Sequence, residues 1–108
     1  MKEENVLCVA NAYKELYYFN KRFGLIPESV RKELQIACVA FTTEVSGIIT
    51  LFFDDDGTLM INTDHDDADI MYDEISAGML LRRFQREKEE LFEQLELFYR
   101  TIILKQEV

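Results

Sequence analysis

A long amphipathic pattern towards the C-terminus places the strongest constraint on how this chain folds. Apolar residues recur there at three- and four-residue spacing from about residue 69 to residue 104, which predicts a helix. Such a helix would be ~54 Å long, whereas a compact domain of this chain length is roughly 35 Å across. The helix therefore either breaks or extends beyond its own domain with an apolar stripe exposed.

The two alternatives predict different roles for the same stripe. A continuous helix would need a partner, and a homodimer is the commonest soluble assembly. A broken helix could cover the sheet of its own chain. Gly78 is the one weak point, where the helix could kink or begin afresh, because glycine disfavours a helix by ~1 kcal/mol. Lys88 occupies one position of the apolar stripe, and this charge argues against a long uninterrupted coiled coil. The stripe residues that we predict as a homodimer interface are Leu91, Phe92, Leu95, Phe98, Tyr99 and Ile102.

A β-hairpin is predicted over residues 48–63, around the turn Asp55-Asp56-Gly57. A three-residue hairpin loop ends in a left-handed residue, which suits Gly57. This loop length pairs Asp54 with Thr58 and gathers the large apolar side chains of both strands on one face. The members of that face are Ile49, Leu51, Phe53, Leu59 and Ile61.

The first half of the chain predicts a second hairpin and a helix. Residues 5–10 and 16–20 read as short strands, and apolar spacing predicts a helix that begins with Pro27 and ends at Gly47. The expected fold is α+β in the order ββαββα, as one domain over residues 1–108. The two hairpins form an antiparallel sheet, and both helices lie on one face of it.

The formal net charge of −9 is concentrated in a short segment. Residues 54–69 carry seven Asp and no Lys or Arg. Such a field disfavours binding of nucleic acid through a basic surface, although a basic protein could be a partner. The sequence also has no run that predicts a membrane span or a signal peptide, so we expect a cytoplasmic protein with Cys8 and Cys38 reduced and buried.

The Asp-rich segment is the main candidate for a metal site. An EF-hand that started at Asp64 would have Ile75 at the position where a glutamate is needed. The structural interpretation, in which these carboxylates serve turns and helix caps, is favoured. The candidate ligands for a hydrated Mg²⁺ or Ca²⁺ are Asp64, Asp66 and Asp67.

The other reactive residue types do not form a catalytic pattern. His65 is the single histidine and is flanked by Asp64 and Asp66, which should favour its protonated form. Four glycines in all form no phosphate-binding loop, and no cofactor is predicted. We therefore expect an interaction or assembly protein rather than an enzyme. The alternatives are a metal-dependent small-ligand binder or hydrolase that uses the Asp64–Asp69 loop, and an acidic mimic of nucleic acid.

Three segments carry a resemblance over nearly the whole chain. They are FDDDGTL at 53–59, YDEISAG at 72–78 and QREKEELFEQLELFYR at 85–100. With these segments the chain resembles a family of short, acidic bacterial proteins of unknown function. The resemblance implies a stand-alone cytoplasmic protein and implies no activity, cofactor or catalytic residue.

Overall fold

The fold is a four-stranded antiparallel sheet with helices on one face, seen in a computed structural model that describes residues 2–105. The strands, in the spatial order β2-β1-β3-β4, are β1 (Val6–Asn11), β2 (Leu16–Phe19), β3 (Ile48–Phe53) and β4 (Leu59–Asp64). The helices are α1 (Glu28–Val45), α2 (Glu74–Glu87) and α3 (Glu89–Phe98), followed by a π-helical turn at Tyr99–Ile103. The predicted α+β class is confirmed, with the last predicted helix in two pieces.

The β3–β4 hairpin has the predicted register. The Asp54 amide donates to the Thr58 carbonyl at 3.0 Å, and Phe53 lies opposite Leu59. Gly57 has a φ of 85° at the end of the loop. A three-residue loop therefore puts the five predicted apolar side chains on one face and leaves Ile48, Phe52 and Met60 on the other.

The β1–β2 hairpin closes without an Asn-Gly or Asp-Gly turn. The Asn11 side chain instead accepts hydrogen bonds from the amides of Tyr13 and Lys14, and Glu15 adopts a φ of 51°. β1 also carries a bulge at Leu7, where the register with β3 shifts. Leu7 and the next residue, Cys8, are consequently both fully buried.

Helix α1 begins one residue later than predicted, because Pro27 is its N-cap and Glu28 is its first residue. At its other end Ser46 and Gly47 both have positive φ values, of 69° and 82°. This pair turns the chain directly into β3. Gly47 lies so close to β4 that a Cβ atom there would be 2.5 Å from the Asp64 carbonyl oxygen.

The C-terminal helix breaks at Lys88 and continues through Gly78, the weak point at which the sequence left a kink or a new start open. Gly78 lies within α2 in open space, where one glycine costs only ~1 kcal/mol. Lys88 leaves the helical conformation at φ −107° and ψ 12°, and its ammonium group contacts Glu33 of α1 at 3.4 Å. The break lets α2 pack on α1 while α3 packs beside β4.

One hydrophobic core lies between the sheet and the helices. The Tyr99 ring stacks on Phe53 with a centroid distance of 4.2 Å, and Phe23 packs against Phe53 at 5.5 Å. The Tyr99 hydroxyl donates to the Asn5 side chain at 3.2 Å. The core thus joins residues from the beginning, middle and end of the chain.

Candidate functional site

The predicted homodimer interface lies mostly inside the chain's own core. Leu91, Leu95 and Tyr99 are at most 8% exposed, so the prediction that they form a free stripe is wrong. Phe92 and Phe98 are half-buried against the same core, and Ile102 is exposed. The physical reason is the break at Lys88, which turns α3 onto the sheet instead of letting it project.

Exposed apolar side chains do occur in the C-terminal segment, but at its opposite end. Ile75 and Met79 in α2 are 77% and 60% exposed. Ile70 and Met71, in the loop before α2, are more exposed still. These four exposed apolar side chains all lie in the loop after β4 or in the first half of α2.

The Asp-rich loop is held to the rest of the chain by Asp69. Its carboxylate accepts hydrogen bonds from the hydroxyls of Tyr13 and Ser46, at 2.7 and 2.8 Å. These bonds lower the pKa of Asp69 below its ordinary value, and the bond from Tyr13 has the larger effect. The Tyr13 hydroxyl also accepts a bond from the Asp66 amide. Asp69 therefore joins the loop to the β1–β2 turn and to the end of α1.

His65 is positioned by its neighbours in the same loop. Its Nδ1 donates to the Asp66 carbonyl at 3.2 Å, and its Nε2 lies 3.5 Å from a Glu74 carboxylate oxygen. The bond to the Asp66 carbonyl, and after it the bond to Glu74, raises the pKa of His65. The direction is the predicted one, but the cause is these bonds rather than the charges of the flanking Asp64 and Asp66. Its ring stacks on Tyr72 at 4.2 Å. The imidazole thus has a structural role at the start of α2.

Two of the three carboxylates predicted as metal ligands, those of Asp64 and Asp66, serve the turns of the loop. Asp64 accepts a bond from the His65 amide, and Asp66 accepts one from the Ala68 amide. Asp73 caps α2, where its side chain accepts hydrogen bonds from the Ile75 and Ser76 amides. Within the described part of the chain, no three His, Cys, Asp or Glu side chains form a group that could hold a metal ion.

The two cysteines are free thiols and fully buried, as predicted. A hydrogen bond with the Cys8 thiol and, to a lesser extent, burial raise the pKa of the Cys38 thiol. Burial also raises the pKa of Tyr17, whose hydroxyl has no hydrogen-bond partner among residues 2–105. Protonated, buried thiols are poor nucleophiles, so these groups are suited to packing rather than to catalysis.

The face of the sheet opposite the helices is uncovered, and we call it the open sheet face. Apart from the bulge at Leu7, its side chains alternate along each strand with those that face the helices. Tyr18 and Leu16 are 51% and 61% exposed there. Asp64, at one corner, is its single charged residue. The face consists of Val6, Val9, Asn11, Leu16, Tyr18, Ile48, Thr50, Phe52, Met60, Asn62 and Asp64.

The open sheet face was not predicted, although the sequence carries a signal for it. The central strands β1 and β3 have the sequences VLCVAN and IITLFF. In both strands, apolar residues occupy positions on either face of the sheet. Strands that are covered on both faces have this composition, whereas a strand with one wet face alternates apolar and polar residues. Both central strands therefore have the composition of a sheet with two covered faces.

The family of the chain follows from a match over nearly its whole length. A family model fits residues 4–107. The chain belongs to DUF6145, a family of unknown function. The predicted resemblance to a family of unknown function is thereby confirmed, and the bacterial source stays a prediction. DUF6145 assigns no ligand or reaction to the open sheet face or to the Asp-rich loop.

No curated protein and no solved structure matches the chain. Among residues 2–105, no helix combines the length and the apolar character needed to cross a bilayer.

Proposed function

We propose that this protein is a non-enzymatic assembly module that forms a homodimer through its open sheet face. The proposal rests on a mismatch between the composition of the two central strands and the number of sheet faces that are covered. The central strands are apolar on both faces, yet the chain's own helices cover one face. A second copy would cover the other, with the two sheets about 10 Å apart as in a β-sandwich.

A second copy suits this surface because the face is almost free of charge. Each chain carries a net charge of −9, which opposes association in general. Of the 21 Asp and Glu residues, however, seven lie within residues 54–69, in the turn and the loop at the two ends of β4 or next to them, and only Asp64 lies on the face itself. A two-fold axis through the centre of the sheet would keep the two Asp64 corners apart.

The size of the face predicts a weak dimer. Four strands of about six residues cover a footprint of about 20 by 20 Å, or about 400 Å². A standard stable interface buries about 800 Å² on each partner. We therefore expect a dissociation constant in the micromolar range, so that assembly responds to the concentration of the protein.

A pair of threonine substitutions tests the proposed interface. Thr50 lies at the centre of the open sheet face, between Val9 and Asn62, and Thr101 is exposed beside Ile102. In sedimentation equilibrium, Thr50→Arg should give a monomer of 12.7 kDa at concentrations where the wild type is dimeric. A buried, unpaired guanidinium on each copy is the cause.

The Thr101→Arg variant is the matched control and should dimerise like the wild type. Dissociation by Thr101→Arg alone would instead assign the interface to the C-terminal segment. A wild-type chain that stays monomeric at millimolar concentration would refute dimer formation on either surface.

A further inference from the structure

The edge strand β2 has main-chain groups that face away from the sheet. The Asn20 amide donates to the Leu7 carbonyl, and Tyr18 lies opposite Val9. Because pairing alternates along a strand, the N–H and C=O groups of Tyr17 and Phe19 point away from β1. Proteins commonly protect such an edge with a charge, a proline or a bulge, and the sequence LYYF of β2 contains none of these.

The other edge of the sheet provides a contrast. There the Glu96 side chain of α3 accepts a hydrogen bond from the outward Leu59 amide at 2.8 Å. The edge at β4 is thus partly capped by the chain itself, and the hydrogen bonds found for β2 among residues 2–105 cap neither Tyr17 nor Phe19 on the outer side.

A groove runs between this edge and helix α1, and we call it the β2–α1 groove. It consists of a cleft of about 620 Å³ and a neighbouring cleft of about 330 Å³, which share Tyr17 and Gln35. The first cleft reaches Val39 and the second reaches Phe19. The start of β2 is therefore beside the end of α1, and the helix and the strand run in opposite directions along the groove.

We propose that the β2–α1 groove binds an extended peptide segment of a partner protein by adding it to the sheet as a strand. Main-chain hydrogen bonds to Tyr17 and Phe19 would supply affinity, and alternate side chains would enter the groove beside α1. The groove follows most of α1, whose 18 residues span ~27 Å, and this length holds about eight extended residues.

The length of the groove favours a flexible segment over a second copy. A second copy could offer its own β2, which has four residues and only two outward-facing positions. An extended segment can continue past β2 along α1. This binding does not use the open sheet face, so it goes beyond the proposed dimer and does not depend on it.

The charges at the ends of the groove predict the polarity of the segment. Arg31, Lys32 and Glu28 lie at the end next to Phe19 and leave one excess positive charge, whereas Glu15 lies at the other end. A strand that adds antiparallel to β2 begins at the Phe19 end. The segment should therefore carry acidic residues near its N-terminus, apolar residues at alternate positions and basic residues near its C-terminus.

A random octapeptide library displayed on phage tests this proposal with the full-length chain as bait. The variant Val39→Arg places a long charged side chain in the groove, and its matched control is Ile36→Arg, at an exposed position of α1 outside the groove. Peptides enriched on the wild type should alternate apolar and polar residues. They should bind Val39→Arg about tenfold more weakly and Ile36→Arg unchanged.

Amide hydrogen exchange of the complex with the most enriched peptide then identifies the mode of binding. Protection should appear at Tyr17 and Phe19 and should persist in the Thr50→Arg monomer, which separates this proposal from the dimer. The absence of enrichment, equal binding to both arginine variants, or peptides with helical spacing would overturn it. Protection that rises with protein concentration and without peptide would assign the edge to a second copy.

Discussion

Gly47 shows how much a single residue can constrain this fold. It has a φ of 82°, and a Cβ atom there would meet the Asp64 carbonyl oxygen at 2.5 Å and the Tyr72 ring at 3.2 Å. A left-handed conformation costs a non-glycine residue roughly 1–2 kcal/mol, to which the backbone clash adds. We expect Gly47→Ala to lower the free energy of unfolding by more than ~2 kcal/mol in urea denaturation.

Gly78 provides the control for that substitution. It lies in α2, where an added methyl group would meet no neighbouring side chain or element within 4 Å, so Gly78→Ala should raise the free energy of unfolding by ~0.5–1 kcal/mol. Equal losses of stability in both variants would contradict the interpretation. The sequence predicted a terminating role for Gly47 from its position after the apolar pattern, but its approach to β4 depends on a tertiary contact.

At the scale of elements, the loop between β4 and α2 depends on one carboxylate. Because hydrogen bonds lower the pKa of Asp69 below 3.8, the folded chain binds this proton less readily than the unfolded chain does. The stabilisation is therefore present at neutral pH and is lost as the pH falls through the folded-state pKa. Below about pH 4 the thermal unfolding midpoint should therefore fall less steeply with decreasing pH in Asp69→Asn than in the wild type.

Asp67→Asn is the matched control, since it makes the same change of charge in the same exposed loop. Its thermal unfolding midpoint should fall with decreasing pH as steeply as that of the wild type. If both variants changed this pH dependence equally, general repulsion among the seven Asp of residues 54–69 would explain the effect better than the bonds from Tyr13 and Ser46 do.

Elements whose signals are local were predictable from the sequence, and elements whose boundaries depend on packing were not. The β3–β4 register follows from loop length and alternation, both of which lie within residues 48–63. The break at Lys88 lies where α2 and Lys88 contact α1, and Glu33 of α1 is separated from Lys88 by half the chain. The hydrogen bonds of Asp69 with Tyr13 and Ser46 could not be predicted from the sequence for the same reason.

At the scale of the whole molecule, the balance between charge and apolar surface should govern assembly. Two chains of net charge −9 repel each other, and salt shortens the Debye length from about 10 Å at 0.1 M to about 3 Å at 1 M. The open sheet face has no pairs of opposite charges whose attraction salt could screen. We therefore expect the dimer dissociation constant to fall as sodium chloride is raised over this range.

Sedimentation equilibrium at several salt concentrations measures this dependence, with the Thr50→Arg monomer as the reference for changes in buoyancy. A dissociation constant that rises with salt would mean that ion pairs hold the copies together. In that case a surface near the arginines of α2 would be a better candidate than the open sheet face.

The contact of Tyr99 with Phe53 and Asn5 has a consequence for the order of events during synthesis. Residues from the first and last tenths of the chain meet in it, so the aromatic centre stays incomplete until the final helix has left the ribosome. Until then the part of the inner sheet surface that α3 and Tyr99 cover is exposed to chaperones and proteases. A nascent chain cut before residue 99 should therefore be degraded rather than accumulate as a smaller folded protein.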